Sequence, residues 1–190
     1  MRHIERVNEA AAKSELATTA NPEQLAALQL GGGPIVYFRH VQPHDEPFVT
    51  EAIRTASRET LLHRFFSPIR SVSPDQLRRM LAIDRTRELC IVGVVVNDIT
   101  RVICGARYVR LPKPAAAEIA LTVHDDFQHR GLGTFLLQLL TRLAIADGIR
   151  WFEADVMSSN RKMLNLFQKL VRDRLDTRRI GDVIHLTFEL

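Results

Sequence analysis

Short β-branched runs alternate along the chain with longer stretches whose apolar residues recur at helical spacing. Ile35-Val36-Tyr37-Phe38-Arg39-His40-Val41 predicts a strand. Phe48, Val49, Ala52 and Ile53 then share one face of a predicted helix over 43–56, opened by Pro43. A second short helix is expected over 57–66, stopped before Pro68. Ser73-Pro74-Asp75 starts a third, to about Leu81, because serine caps a helix and proline suits its first turn. Runs at 88–96 and 99–111 read as two strands joined by a turn at Asn97-Asp98, since both residues tolerate turn conformations. A strand at 118–123 breaks into a polar loop and re-emerges as a helix over 133–146. That helix is apolar around most of its circumference and must be buried against a sheet. A strand at 151–156 follows. Ser159 or Asn160 then caps a helix to about Leu170, with Met163, Leu164, Phe167 and Leu170 facing inward. Strands at 175–179 and 183–189 close the chain as a hairpin through Gly181-Asp182. The pattern predicts an α/β domain: a mixed sheet covered by helices on both faces.

Residues 1–33 read as a separate N-terminal extension, partly helical or flexible, ahead of a domain over 34–190. Helix character is moderate over 5–16. Asn21-Pro22-Glu23 is a good helix start, and Gly31-Gly32-Gly33-Pro34 must end whatever precedes it. At 190 residues, one domain with a real core is expected. Hydrophobic residues make up 46% and charged residues 25%, the mixture of an ordinary globular protein. The net charge of +4 is too small for an electrostatic nucleic-acid footprint. No apolar run approaches the ~20 residues of a membrane helix, and the N-terminus lacks the apolar centre of a signal peptide. Two cysteines, Cys90 and Cys104, rule out a disulfide framework and suggest a reducing compartment. A cytoplasmic protein without nucleic-acid or membrane partners is expected.

The chemistry concentrates between Glu118 and Leu140. Gln128-His129-Arg130-Gly131-Leu132-Gly133 lies between a strand and a helix, and such a loop presents backbone N–H groups to an anion. Gly131 and Gly133 allow close approach without a Cβ in the way. The loop lacks the Lys-Ser/Thr ending of a nucleotide P-loop. Glu118, on the polar side of the strand leading into it, is the candidate for the chemistry. Seven histidines show no metal-ligand spacing, and His124 and His129 read as surface residues flanking the loop. Cys90 and Cys104 read as core thiols. Arg172, Arg174, Arg178 and Arg179 read as a solvated face, without the interleaved aromatics of a single-strand nucleic-acid platform.

Residues 128–133 fit the acyl-CoA loop of the GCN5-related N-acetyltransferases (Gln/Arg-x-x-Gly-x-Gly/Ala), in the strand–loop–helix setting of that family. Asn160 opens a helix after the next strand, as the family pattern expects. The resemblance covers residues 35–190. It is narrower toward the acetyltransferase domain of bacterial Pat-type protein-lysine acetyltransferases, through Ser57 to Phe66, Ile83 to Glu88 and Ala117 to Ala120. Two positions depart from that group: Leu62 replaces a tyrosine, and Val171 stands where a glycine is common.

The resemblance implies a central, mostly antiparallel sheet and acetyl-CoA as acyl donor, with no metal. Amides of His129, Arg130, Gly131, Leu132, Gly133 and Thr134 would hold the pyrophosphate in the loop that Gln128 opens. The edge of Leu121, Thr122 and Val123 would pair with the pantetheine, which Asn160 also contacts. Glu118 would be the general base, an N–H near Leu121 would polarise the thioester, and Arg64-Phe65-Phe66 would line the acceptor cleft. No proton donor for the thiolate is evident, since Phe167 stands where many relatives place a tyrosine. The implied acceptor is a protein lysine, on a partner such as an acyl-CoA synthetase, reached by direct attack in a ternary complex. A small amine as acceptor and a non-catalytic acyl-CoA sensor are the alternatives.

Overall fold

The computed structural model describes residues 24–69, 72–97 and 99–190. In chain order the elements are β1 (Gln24–Gln29), β2 (Ile35–His40), α1 (Glu46–Thr55), α2 (Arg58–Phe65), α3 (Pro74–Leu81), β3 (Glu88–Val96), β4 (Thr100–Arg110), β5 (Ala116–Val123), α4 (Leu132–Ala146), β6 (Trp151–Met157), α5 (Arg161–Val171), β7 (Leu175–Ile180) and β8 (Val183–Glu189). The strands form one eight-stranded sheet in the order β1-β2-β3-β4-β5-β6-β8-β7. Every neighbouring pair is antiparallel except β5 and β6.

One expectation is corrected at the start of the chain. Residues 24–29, read from sequence as part of a short helix, form an edge strand paired with β2 from Gln24↔Arg39 to Gln29↔Ile35. Pairing and burial of Ala26 and Leu30 in the main core override a helix preference worth only ~0.5 kcal/mol per residue. The glycine run supplies the connection to β2, with Gly32 at φ 67. The helix expected over 5–16 lies outside the described residues, as does Asp98 in the β3–β4 turn.

The sheet separates two layers. On one face Phe38, Ile91, Ile119, Leu121, Phe152 and Phe188 pack against Leu136 and Leu140 of α4 and Phe167 of α5. Each such side chain stabilises the fold by ~1.5–3 kcal/mol. On the other face Val41, Val92, Val94 and Val102 meet Phe48, Val49 and Ala52 of α1 and Leu81 of α3. Helix starts follow their capping residues: Ser57 Oγ accepts from Thr60 N–H, Ser73 forms a capping box with Gln76, and Asn160 Oδ1 accepts from Met163 N–H. No helix among the described residues is long and apolar enough to cross a membrane.

The feature that positions the site is the parallel seam. β5 and β6 pair only at Ala116↔Trp151, Ala117↔Phe152 and Glu118↔Glu153, and then splay apart. β4 stays paired with β5 along its whole length, to Cys104↔Val123.

Candidate active site

The splay leaves one edge of β5 open. In an antiparallel ladder, residues alternate between spending their backbone groups on the neighbour and pointing them away. His124 N–H donates to Ile103 O at 2.8 Å, which fixes that alternation. Glu118, Ala120 and Thr122 therefore bond β4, while Leu121 and Val123 aim at the gap. Val123 O accepts from Gln128 Nε2 at 3.2 Å. The N–H groups of Leu121 and Val123 and the carbonyl of Leu121 have no partner among the described residues.

Glu118 sits at the last paired position, where the strands part. Its side chain is exposed and makes no ion pair among the described residues. Beyond it runs a cavity of about 430 Å³ bounded by β5, β6, the loop, α2 and α5. All the site residues named from sequence line it except Phe65 and Arg130. The Arg130 guanidinium lies over the Phe127 ring, 5.5 Å from its centroid.

At the far end of the cavity the loop meets the N-terminus of α4. His129 and Gly131 adopt left-handed conformations, φ 61 and 83. Gly131 caps α4 without a side-chain hydrogen bond, so the first-turn amides face the cavity unpaired. They carry the positive end of the helix dipole. A Cβ on Gly133 would come within 3.3 Å of Leu166 Cδ2, whereas Gly131 has open space and requires glycine for its backbone conformation. Such an arrangement can hold an anion such as a polyphosphate.

Gln128 spends its side chain holding the loop. Its Nε2 donates to Val123 O and to Thr60 Oγ1 at 3.3 Å, and its Oε1 accepts from Lys162 Nζ at 2.9 Å. Asp125 completes the brace, accepting from Ser57 N–H and Ser57 Oγ, each at 2.7 Å, and from Thr60 Oγ1 at 2.8 Å. Across the mouth, His63 Nε2 and Ser159 Oγ lie 3.2 Å apart, linking α2 to the turn before α5. Asp125, Thr60, His63 and Lys162 were not singled out from sequence. Their cross-chain partners lie 34 to 96 residues away, and only the Ser57 cap hinted at the network.

Two further readings are settled by burial. His124, expected at the surface, is 7% exposed. Its Nδ1 accepts from Asp126 N–H at 3.4 Å and its Nε2 bonds Thr55 Oγ1 at 3.0 Å, so it joins the loop to α1. Burial pushes the Cys90 thiol up to about 11 and the Cys104 thiol up to about 12, so neither is a thiolate at neutral pH. Among the described residues no group of three or more His, Cys, Asp or Glu is placed to hold a metal.

An open strand edge beside an anion cradle accommodates a ligand with a hydrogen-bonding arm followed by a pyrophosphate, two consecutive parts of coenzyme A. The comparisons agree. The chain belongs to the Acetyltransferase (GNAT) family, which it matches over residues 56–171. The class that fold and site define is thus an acetyl-CoA-dependent N-acetyltransferase. It is 32% identical over 160 residues to the Acetyltransferase Pat of Mycolicibacterium smegmatis, covering 84% of this chain and 46% of that relative. The chain therefore spans about half the length of that protein. It is 28% identical over 138 residues to the Acetyltransferase PA5475 of Pseudomonas aeruginosa, covering 72% of this chain and 74% of the relative. Among solved structures it is similar to the GNAT domain of S. lividans PAT, with a TM-score of 0.78, 25% identity, and coverage of 90% of this chain and 99% of that one.

Proposed function

We propose that this protein acetylates a lysine side chain of a protein substrate by direct attack on acetyl-CoA, with Glu118 as general base. The pantetheine lies along Leu121 and Val123 as an added strand, and the pyrophosphate sits on the amides from His129 to Thr134. Leu121 N–H then faces the thioester carbonyl and stabilises the oxyanion that forms as the amine adds. A lysine amine arrives protonated at neutral pH, since its ordinary pKa is ~10.4, and must lose a proton to become a nucleophile. Glu118 takes that proton, directly or through one water, because it stands where the gap opens to solvent. The amine nitrogen forms a bond to the carbonyl carbon, the carbon–sulfur bond breaks, and coenzyme A leaves as a thiolate. With a thiol pKa near ~8.5, that leaving group needs little help, so a dedicated acid is not required.

The observation that carries this reading is the unpaired Glu118 carboxylate at the splay point, with the free Leu121 N–H three residues beyond it. Its likeness to Pat supports a protein as the acceptor, and an acyl-CoA synthetase is the class of target proposed. Thiol release from acetyl-CoA with such an acceptor is the test. Glu118→Gln should lower kcat at neutral pH by about a hundredfold or more while leaving acetyl-CoA affinity intact. Full activity of that variant would remove Glu118 from the proton path.

A further inference from the structure

On the opposite side of β5 a second cavity, of about 140 Å³, lies between the sheet and α1, α2 and α3. Its floor is a row of register partners across three strands, Cys90, Arg107 and Ala120. Thr60, Arg64, Ala120 and Thr122 line both this cavity and the larger one, so the two adjoin where Leu121 offers its N–H.

Most of the wall is apolar, but three polar groups in it lack partners. Thr122 Oγ1 and Arg107 Nε are buried and make no hydrogen bond among the described residues. Arg64 makes no hydrogen bond or ion pair among the described residues; its guanidinium lies 5.5 Å from the centroid of the Phe65 ring. Loss of solvent around Arg64 pulls its pKa below the ordinary guanidinium value, a sign that its charge is poorly compensated. Glu88 does not supply the missing charge, because it is already paired with the terminal nitrogen of Arg107.

Buried polar groups are almost always partnered, so orphans clustered at a cavity call for a ligand that supplies the missing atoms. An ammonium group is repelled here by two guanidinium groups. A carboxylate suits all three, since it is acceptor-only and guanidinium N–H and hydroxyl O–H groups both donate to it. The apolar remainder suits a few methylenes. We propose that this cavity receives a short aliphatic chain ending in a carboxylate, borne as the acyl group of coenzyme A, and that the enzyme transfers such carboxyacyl groups as well as acetyl. The inference rests on the acyl-CoA reading of the adjoining gap. The chemistry is unchanged: the amine nitrogen bonds the thioester carbon, the carbon–sulfur bond breaks, the sulfur leaves as thiolate and the amine proton passes to Glu118. The distal carboxylate takes no part in bond making.

Thiol release should be measured with acetyl-, butyryl- and succinyl-CoA and a common amine acceptor. The expected result is a kcat/KM for succinyl-CoA at least about tenfold above that for butyryl-CoA, a chain of the same carbon count without the charge. Arg64→Met, and separately the near-isosteric Thr122→Val, should each collapse that ratio. A ratio near unity in the unaltered protein overturns the proposal without recourse to any variant. Melting of the protein with free succinate or butyrate separates the second source of a carboxylate. Stabilisation by the free acids without succinyl-CoA preference overturns the acyl-chain assignment and leaves a site for a free carboxylate. Turnover of acetyl-CoA alone defeats this inference only, whereas failure of every thioester to bind defeats the acyl-transfer reading and this inference with it.

Discussion

Asp125 sits three residues before Gln128, which opens the glycine motif, yet it ties that motif to α2. Burial pushes its carboxyl upward, but donors from Ser57 and Thr60 outweigh that and hold its pKa below the usual aspartate value. A carboxylate depressed in the folded state stabilises fully above its unfolded pKa, and the contribution is lost as pH falls through the lower folded value. Asp125→Asn should therefore melt earlier than the unaltered protein at neutral pH. The difference should persist down to about pH 4 and shrink steadily below it. A difference independent of pH would mean that the Asp125 charge plays no part in the brace. Gly131 and Gly133 were legible in the sequence because backbone freedom is written in residue type. Asp125, Thr60 and Lys162 were not, because an aspartate, a threonine and a lysine acquire a role only through distant partners. Arg130 was named for its backbone amide, and the structure adds that its guanidinium lies over the Phe127 ring.

At the scale of elements, the helices were legible because their caps and apolar spacing agree, as at Ser73-Pro74 and Asn160. β1 was not, because Gln24 to Gln29 is alanine- and leucine-rich and only pairing with β2 makes it a strand. The middle of the sheet holds a constraint of another sort. β3 and β4 slip register between Gly93 and Val94, and the Cys104 side chain fills the space a Cβ on Gly93 would occupy. Phe38 Cε1 would lie 3.0 Å from that same atom. Both neighbours are core residues with little room to retreat: Phe38 is fully buried and Cys104 is 4% exposed. Gly93→Ala should cost about 1–3 kcal/mol, seen as a lower denaturant midpoint at unchanged slope. Gly93→Ala combined with Cys104→Ala should recover part of that loss, because the cysteine sulfur is the nearest obstacle. Equal stability of Gly93→Ala and the unaltered protein would show that the bulge relaxes freely.

At the scale of the whole molecule, the sheet is two antiparallel halves joined by three residue pairs of a parallel seam, with the open gap directly beyond it. No local sequence signal announces a splay. It follows from β6 pairing with β8 along Trp151 to Met157 while β5 follows β4, and the strands diverge once both demands are met. The open edge makes a residue-by-residue prediction about cofactor binding. In the free protein, amide exchange along β5 should alternate: Ala120, Thr122 and His124 slow because their N–H groups bond β4, Leu121 and Val123 fast because theirs face the gap. Binding of coenzyme A as an added strand should slow Leu121 and Val123 by more than the residues already bonded to β4. Ligand linkage alone would slow all five by a common factor, since any ligand at a hundredfold excess over its Kd stabilises the fold by about 2.7 kcal/mol. The two contributions separate in residues that exchange by local opening, where only a new hydrogen bond to Leu121 or Val123 gives the odd–even pattern. Uniform protection along the strand would place the pantetheine elsewhere, and with it the thioester that Leu121 N–H is proposed to hold.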